Sequence, residues 1–244
     1  MRGNCWIRSV AWLLAAITIG ATCPRLAQAQ DSAPPVDPPS PHVAAVAASA
    51  QRLVDSAVQA ARLLRQDPRM APLLDRAKAV LIVPHYKEGA VIIGAHGGVG
   101  VLLARRGSAW TDPVFYRMGG VSIGLQAGGT SGPVAMLLMS DKAVEKFRDS
   151  LSTWSLGGNT GLTVADFSDQ KQHPAGSLDV IVWSAMKGLF GGIAFSATDV
   201  TPDTSADHAY YRSPVAPLQI LVGSVTNPSA QPLRNALQTH VALN

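Results

Sequence analysis

Between Gly120 and Gly128 the chain alternates Val121, Ile123 and Leu125 with Ser122, Gly124 and Gln126. A period of two is the signature of a half-buried β-strand. Glycines inside such a strand mark bulges, tight curvature or close approach of another backbone. The same habit recurs at Gly94-Ala95-His96-Gly97-Gly98-Val99-Gly100, so the chain is constrained toward a curved sheet. Strand patterns are read at 79–84, 90–95, 99–104, 120–127, 134–139, 162–167, 180–185 and 192–197, with a tight hairpin over the glycines of 94–100.

Helical periodicity frames these strands. Val43, Val46, Ala47, Ala50, Leu53, Val54, Ala57, Ala61 and Leu64 recur at spacings of three and four, which predicts an amphipathic helix over 43–66. Asp67-Pro68 ends it, and a second short helix is read from about residue 71 to 78. Ser140 can cap a helix reaching about residue 151. Asn227-Pro228 reads as a cap with proline at the first helical position, opening a C-terminal helix to about residue 237. The predicted fold is α+β: a curved, largely antiparallel, Gly-rich sheet, barrel- or sandwich-like, with helices at its N- and C-terminal ends.

The N-terminus reads as an export signal over 1–29. Arg2 and Arg8 precede an apolar run from Val10 to Ala21, and Ala27-Gln28-Ala29 is a cleavage pattern. An uncleaved anchor and a lipoprotein at Cys23 are the competing readings; Gly20 and Thr22 fit a lipoprotein signal poorly. Residues 30–42 form a Pro-rich linker too poor in apolar groups to fold, and 43–244 a single domain. Periplasmic or envelope localisation is the expectation. Removing 1–29 takes away Arg2, Arg8 and Arg25 and no acid, leaving 17 basic against 16 acidic residues. Net charge therefore gives no support for nucleic-acid binding. Both cysteines, Cys5 and Cys23, leave with the leader, so a hydrophobic core must hold the domain.

Several patterns imitate catalytic motifs. Gly120-Val121-Ser122-Ile123-Gly124 matches G-x-S-x-G, but a nucleophile elbow needs a strand, a sharp turn at the serine and then a helix. Here the alternation runs straight through Ser122. The glycines of 94–100 are spaced unlike a dinucleotide fingerprint, and no Lys-Ser/Thr pair closes a phosphate loop. His42, His85, His96, His173, His208 and His240 are scattered without metal-ligand spacing. The expectation is a chain that is not an enzyme and carries no cofactor or metal.

What remains is basic and amphipathic. Across 43–78, Arg52, Arg62, Arg65, Arg69, Arg76 and Lys78 stand against Asp55, Asp67 and Asp75. A basic amphipathic helix can lie on an anionic membrane, with cations on phosphates and aliphatic groups at the acyl boundary. The same features fit a core-packing helix with a solvated face. Lys187-Gly188-Leu189-Phe190-Gly191-Gly192 offers a second contact through Lys187 and Phe190, or else a strand entry with Phe190 in the core.

In order, the chain carries Ala77-Lys78-Ala79-Val80-Leu81-Ile82-Val83-Pro84 and Gly97-Gly98-Val99-Gly100-Val101-Leu102-Leu103. Trp110-Thr111-Asp112-Pro113-Val114-Phe115-Tyr116, the 120–128 strand, the 187–192 turn and Tyr210-Tyr211 follow. Over roughly residues 50–240 this set resembles the SYLF-domain family, also described as an actin-regulator domain in fungi. The resemblance implies a non-enzymatic domain that binds membrane lipid, phosphoinositides in eukaryotic relatives, assisted by an N-terminal amphipathic helix. Read with the export signal and the basic pattern, the expected partner is anionic phospholipid, with the eight residues named above, Arg52, Arg62, Arg65, Arg69, Arg76 and Lys78 and Lys187 with Phe190, as the contacts. The rival is an envelope scaffold that binds protein without lipid.

Overall fold

The computed structural model describes residues 40–90, 93–123, 128–149, 153–156, 161–167, 176–185 and 198–238. The leader, most of the Pro-rich linker, the 192–197 strand reading, Lys187 and Phe190 lie outside the described residues.

Helix α1, Pro41–Gln66, begins where Ser40 Oγ accepts from Val43 N and Pro41 takes the first turn. Its stripe becomes contact: Ala50, Val54, Ala57, Val58, Ala60, Ala61 and Leu64 are buried. Helix α2, Ala71–Arg76, is shorter than expected, because Ala77 is extended and leads directly into the sheet.

The sheet runs through β1 (Ala79–Ala90), β2 (Ile93–Arg106), β4 (Val114–Ile123), β5 (Gly128–Leu138), β6 (Trp154–Ser155), β7 (Val164–Asp166), β8 (Val180–Ser184) and β9 (Asp199–Pro202). Their order is β6-β9-β4-β2-β1-β5-β8-β7, and β3 (Ala109–Trp110) is attached to β2. All pairs are antiparallel except β7 with β8. The sheet is strongly curled into a half-barrel, with helices at both ends of the chain, as the glycines imply.

Two sequence readings change. The expected hairpin over 94–100 is instead the first half of one long strand, β2, which pairs antiparallel with β1 from Ala90 with Gly94 to Ala79 with Ala104. The glycines serve close approach. A Cβ on Gly98 would lie 2.6 Å from Val83 Cγ1, and one on Gly100 2.7 Å from the Ile82 carbonyl oxygen. Second, helices α4 (Thr204–Tyr211) and α5 (Pro217–Leu221) join α3 (Asp141–Asp149) and α6 (Gln231–Leu237); α4 and α5 are too short for a period of 3.6 to announce them.

Both faces of the sheet are covered. On one face α1, α2, α4 and α6 bury Val80, Ile82, Val101, Leu103, Phe115 and Leu137. On the other, α3 and α5 bury Leu81, Val83, Tyr86, Tyr116, Met118 and Met136. Each large apolar side chain fully withdrawn from water contributes about 1.5–3 kcal/mol. A register shift in β1 between Val83 and Tyr86 reverses the alternation there. Val83 and Tyr86 consequently share one face, and Lys87, paired with Gly97, moves to the α1 face.

Candidate functional site

Helix α1, the longest among the described residues, is not equally supported along its length. At about 1.5 Å per residue α1 spans roughly 39 Å. Under its C-terminal half lie the apolar rows of the sheet. Under its N-terminal half the rows change: Lys87 pairs with Gly97, Gly97 with Gly119, and Val99 with Arg117. Residues paired across neighbouring strands share a face. These rows therefore carry two glycines, one valine and two cations, continuing to Ser131, Thr201 and Asp199 on the flanking strands, where they would otherwise carry core.

The result is an open groove of about 1060 Å³ between α1 and the sheet. Buried Ala50, Phe115 and Ala206 form its floor, and Val46, Leu53 and Val99 its walls. Arg52, Lys87 and Arg117 stand exposed around it, with His42 and His85. Arg117 meets Asp203 at 3.4 Å. Arg52 donates to Ser49 Oγ at 2.8 Å. Among the described residues, neither Arg52 nor Lys87 forms an ion pair with an acid.

The far wall is fixed by a buried carboxylate. Asp207 is fully buried; its Oδ1 accepts from Phe115 N at 3.0 Å, while Oδ2 is buried without a partner. The Phe115 carbonyl in turn accepts from Asp203 N at 2.9 Å, so α4 is bonded to β4 on both sides of Phe115. Burial pushes the Asp207 carboxyl up to about 7, and the neighbouring charge of Asp203 adds to this.

The six basic residues read from sequence over 43–78 do not converge. Arg52 lies on the groove. Arg62 is exposed and lies with Arg65 beside α6. Arg65 is drawn inward: it meets Asp75 at 2.5 Å and donates to the carbonyls of Ala71 and Leu237, joining α1 to α2 and α6. Arg69 grips Asp67 at 2.8 Å and stacks 4.9 Å from the Phe167 ring centre. This hydrogen bond holds the Asp67 carboxyl down at about 2, although burial opposes it. Arg76 and Lys78 line a smaller depression with Arg105 and Arg148, and Lys78 meets Asp141 at 2.5 Å.

Lys87 and Arg117 were not among the residues singled out from sequence. Nothing local marks them, since their meeting on one face depends on strand register and on the shift in β1. Ser122 sits within β4, whose pairing continues through Ile123, so the backbone makes no nucleophile elbow there. No helix among the described residues is long and apolar enough to cross a membrane.

Comparison with known proteins gives a consistent picture. Residues 119–240, half of the chain, match the family described as "Ysc84: Las17-binding protein actin regulator". Protein YSC84 of Saccharomyces cerevisiae is 27% identical over 198 residues, 78% of this chain and 42% of that protein. SH3 domain-containing protein PJ696.02 of Schizosaccharomyces pombe is 26% identical over 176 residues, 69% of this chain and 40% of its own length. SH3 domain-containing YSC84-like protein 1 of Bos taurus is 26% identical over 163 residues, 65% and 47% of the two chains. The chain thus spans less than half the length of these relatives. No solved structure matches.

Proposed function

Because the chain belongs to the Ysc84, or SYLF, family, we propose that it is an exported, non-enzymatic protein that binds anionic phospholipid at a periplasmic or envelope membrane surface. One observation carries the reading: an apolar groove edged by Arg52, Lys87 and Arg117 and, among the described residues, lined by a single acid, Asp203. Cations beside apolar surface match the two halves of a phospholipid. Each basic group near an anionic surface contributes about 1 kcal/mol, so binding is expected to be modest and salt-sensitive. Arg62 and Arg76, exposed and without an ion-pair partner among the described residues, extend the attraction.

The test is co-sedimentation of the purified chain with vesicles of phosphatidylcholine alone or with phosphatidylglycerol, at low and high salt. Binding only to the phosphatidylglycerol vesicles, lost at high salt, is the expected result. No sedimentation with either would overturn the reading and favour the second one, a protein-interaction scaffold. That alternative draws on the names of relatives such as LAS seventeen-binding protein 3 of Saccharomyces cerevisiae, 26% identical over 198 residues.

A further inference from the structure

The groove under α1 has more apolar volume than headgroup recognition needs. Phosphate binding requires only cations at a surface, and Arg52, Lys87 and Arg117 would supply those without any cavity beneath them. Yet the space below them is walled by Val46, Leu53 and Val99 and floored by Phe115, and its 1060 Å³ lies at the upper end of small-molecule sites. Such sites run to about 300–1,000 Å³ and are mostly apolar with a few placed polar groups. Val99 is 40% exposed here, a large apolar side chain left in water at the groove wall.

We infer that this groove takes up one acyl chain of an anionic phospholipid, with the phosphate held at the rim by Arg52, Lys87 and Arg117. The inference rests on the lipid-binding reading and adds a claim to it: the ligand is a single lipid partly withdrawn from its bilayer, and not the membrane surface alone. Two features favour a chain over other occupants. Gly97 and Gly98 line the trough, so part of its surface is bare backbone beneath a helix. The charge complementarity leans one way: basic groups edge the groove, and among the described residues Asp203, its acidic lining residue, is engaged by Arg117, while Asp199 on the neighbouring strand accepts from Ser155.

The experiment is calorimetric titration of the full purified chain with monoacyl phosphatidylglycerol below its micellar concentration. Monoacyl phosphatidylcholine and glycerol 3-phosphate, the head without a chain, serve as comparators. Saturation at one lipid per protein is expected for the first, weaker binding for the second and none for the third. Filling the groove by Ala45→Trp or Val99→Trp, both at exposed positions, should weaken the monomeric lipid by at least about ten-fold. Both variants should keep the wild-type circular dichroism. Arg52→Glu should weaken monomer and vesicle binding together, by several-fold. Vesicle binding with no uptake of the monomer would overturn this inference and leave the proposed function intact. Failure of both would sink the two together. Unchanged monomer affinity in both folded tryptophan variants would also overturn the groove as the site.

Discussion

The two halves of α1 share one apolar stripe but lie over different floors. In the C-terminal half Ala57, Ala61 and Leu64 are 0% exposed, and Arg65 ties the helix to its neighbours. In the N-terminal half Val43 is 43% exposed, and the groove opens beneath residues with the same helical spacing. Amphipathicity is therefore only an offer of burial. The sheet decides where it is accepted, and it stops accepting where its rows turn from Val101 and Leu103 to Gly97, Gly119, Lys87 and Arg117. Stability resides in one half of the helix, and the candidate site in the other.

The sharpest way to break this comparison is to delete equivalent leucines. Leu64→Ala removes a fully buried side chain and should cost about 2–5 kcal/mol. Leu53→Ala, half-buried at the groove wall, should cost less than about 1.5 kcal/mol. Urea unfolding monitored by circular dichroism measures both. Equal losses would show that the N-terminal half is as firmly packed as the C-terminal half.

The arginines of the same helix should divide likewise. Arg65 is part-buried and serves an acid and two carbonyls, so Arg65→Ala should destabilise by about 1–3 kcal/mol. Arg52→Ala should fall within about 0.5 kcal/mol of wild type. Charge reversal at Arg65 consequently confounds folding with binding, whereas Arg52, Arg62 and Lys87 report binding alone. Similar thermal shifts for Arg65→Ala and Arg52→Ala would undo that division.

Some of this was legible in the chain. The α1 stripe, the strand at β8 and the cap at Asn227 follow from local spacing, and the structure keeps them within a few residues. The 94–100 glycines misled because a glycine that permits a turn and one that permits close packing look the same in sequence. Only the position of Val83 and Ile82 on the neighbouring strand separates the two. The candidate site divides in the same way. Arg52 is visible as a charge off an apolar stripe. Lys87 and Arg117 lie thirty residues apart and meet through β2 between them. The shift between Val83 and Tyr86 that puts Lys87 on the α1 face leaves no mark in local periodicity.

The groove wall itself has a pH-dependent fastening. Asp207 is raised to about 7 by burial, against 3.8 in an unfolded chain, so the folded state binds its proton more tightly. The sign follows from linkage: this group's contribution is fully present below about pH 4 and is lost as pH rises through 7. Asp207→Asn keeps the oxygen that accepts from Phe115 N and removes the charge. The variant should be more stable than wild type at pH 8 by about 1–2 kcal/mol, with the gap closing toward pH 5. Urea midpoints at the two pH values measure it, and a variant equally destabilised at both would refute a buried, proton-binding Asp207.

The smallest effect bears most directly on function. Removing one basic group from a membrane-facing surface should change vesicle affinity by about 1 kcal/mol, close to five-fold, at low salt. Lys87→Gln and Arg52→Gln should each do so with no change in unfolding midpoint. Lys78→Gln is the control from outside the groove: its ammonium meets Asp141, so neutralising it exposes a carboxylate as it removes a cation. If the groove is the contact, the salt dependence of vesicle binding should flatten for Lys87→Gln and Arg52→Gln more than for Lys78→Gln. An equal flattening for all three would spread the attraction over the whole molecule and take the N-terminal half of α1 out of its special position.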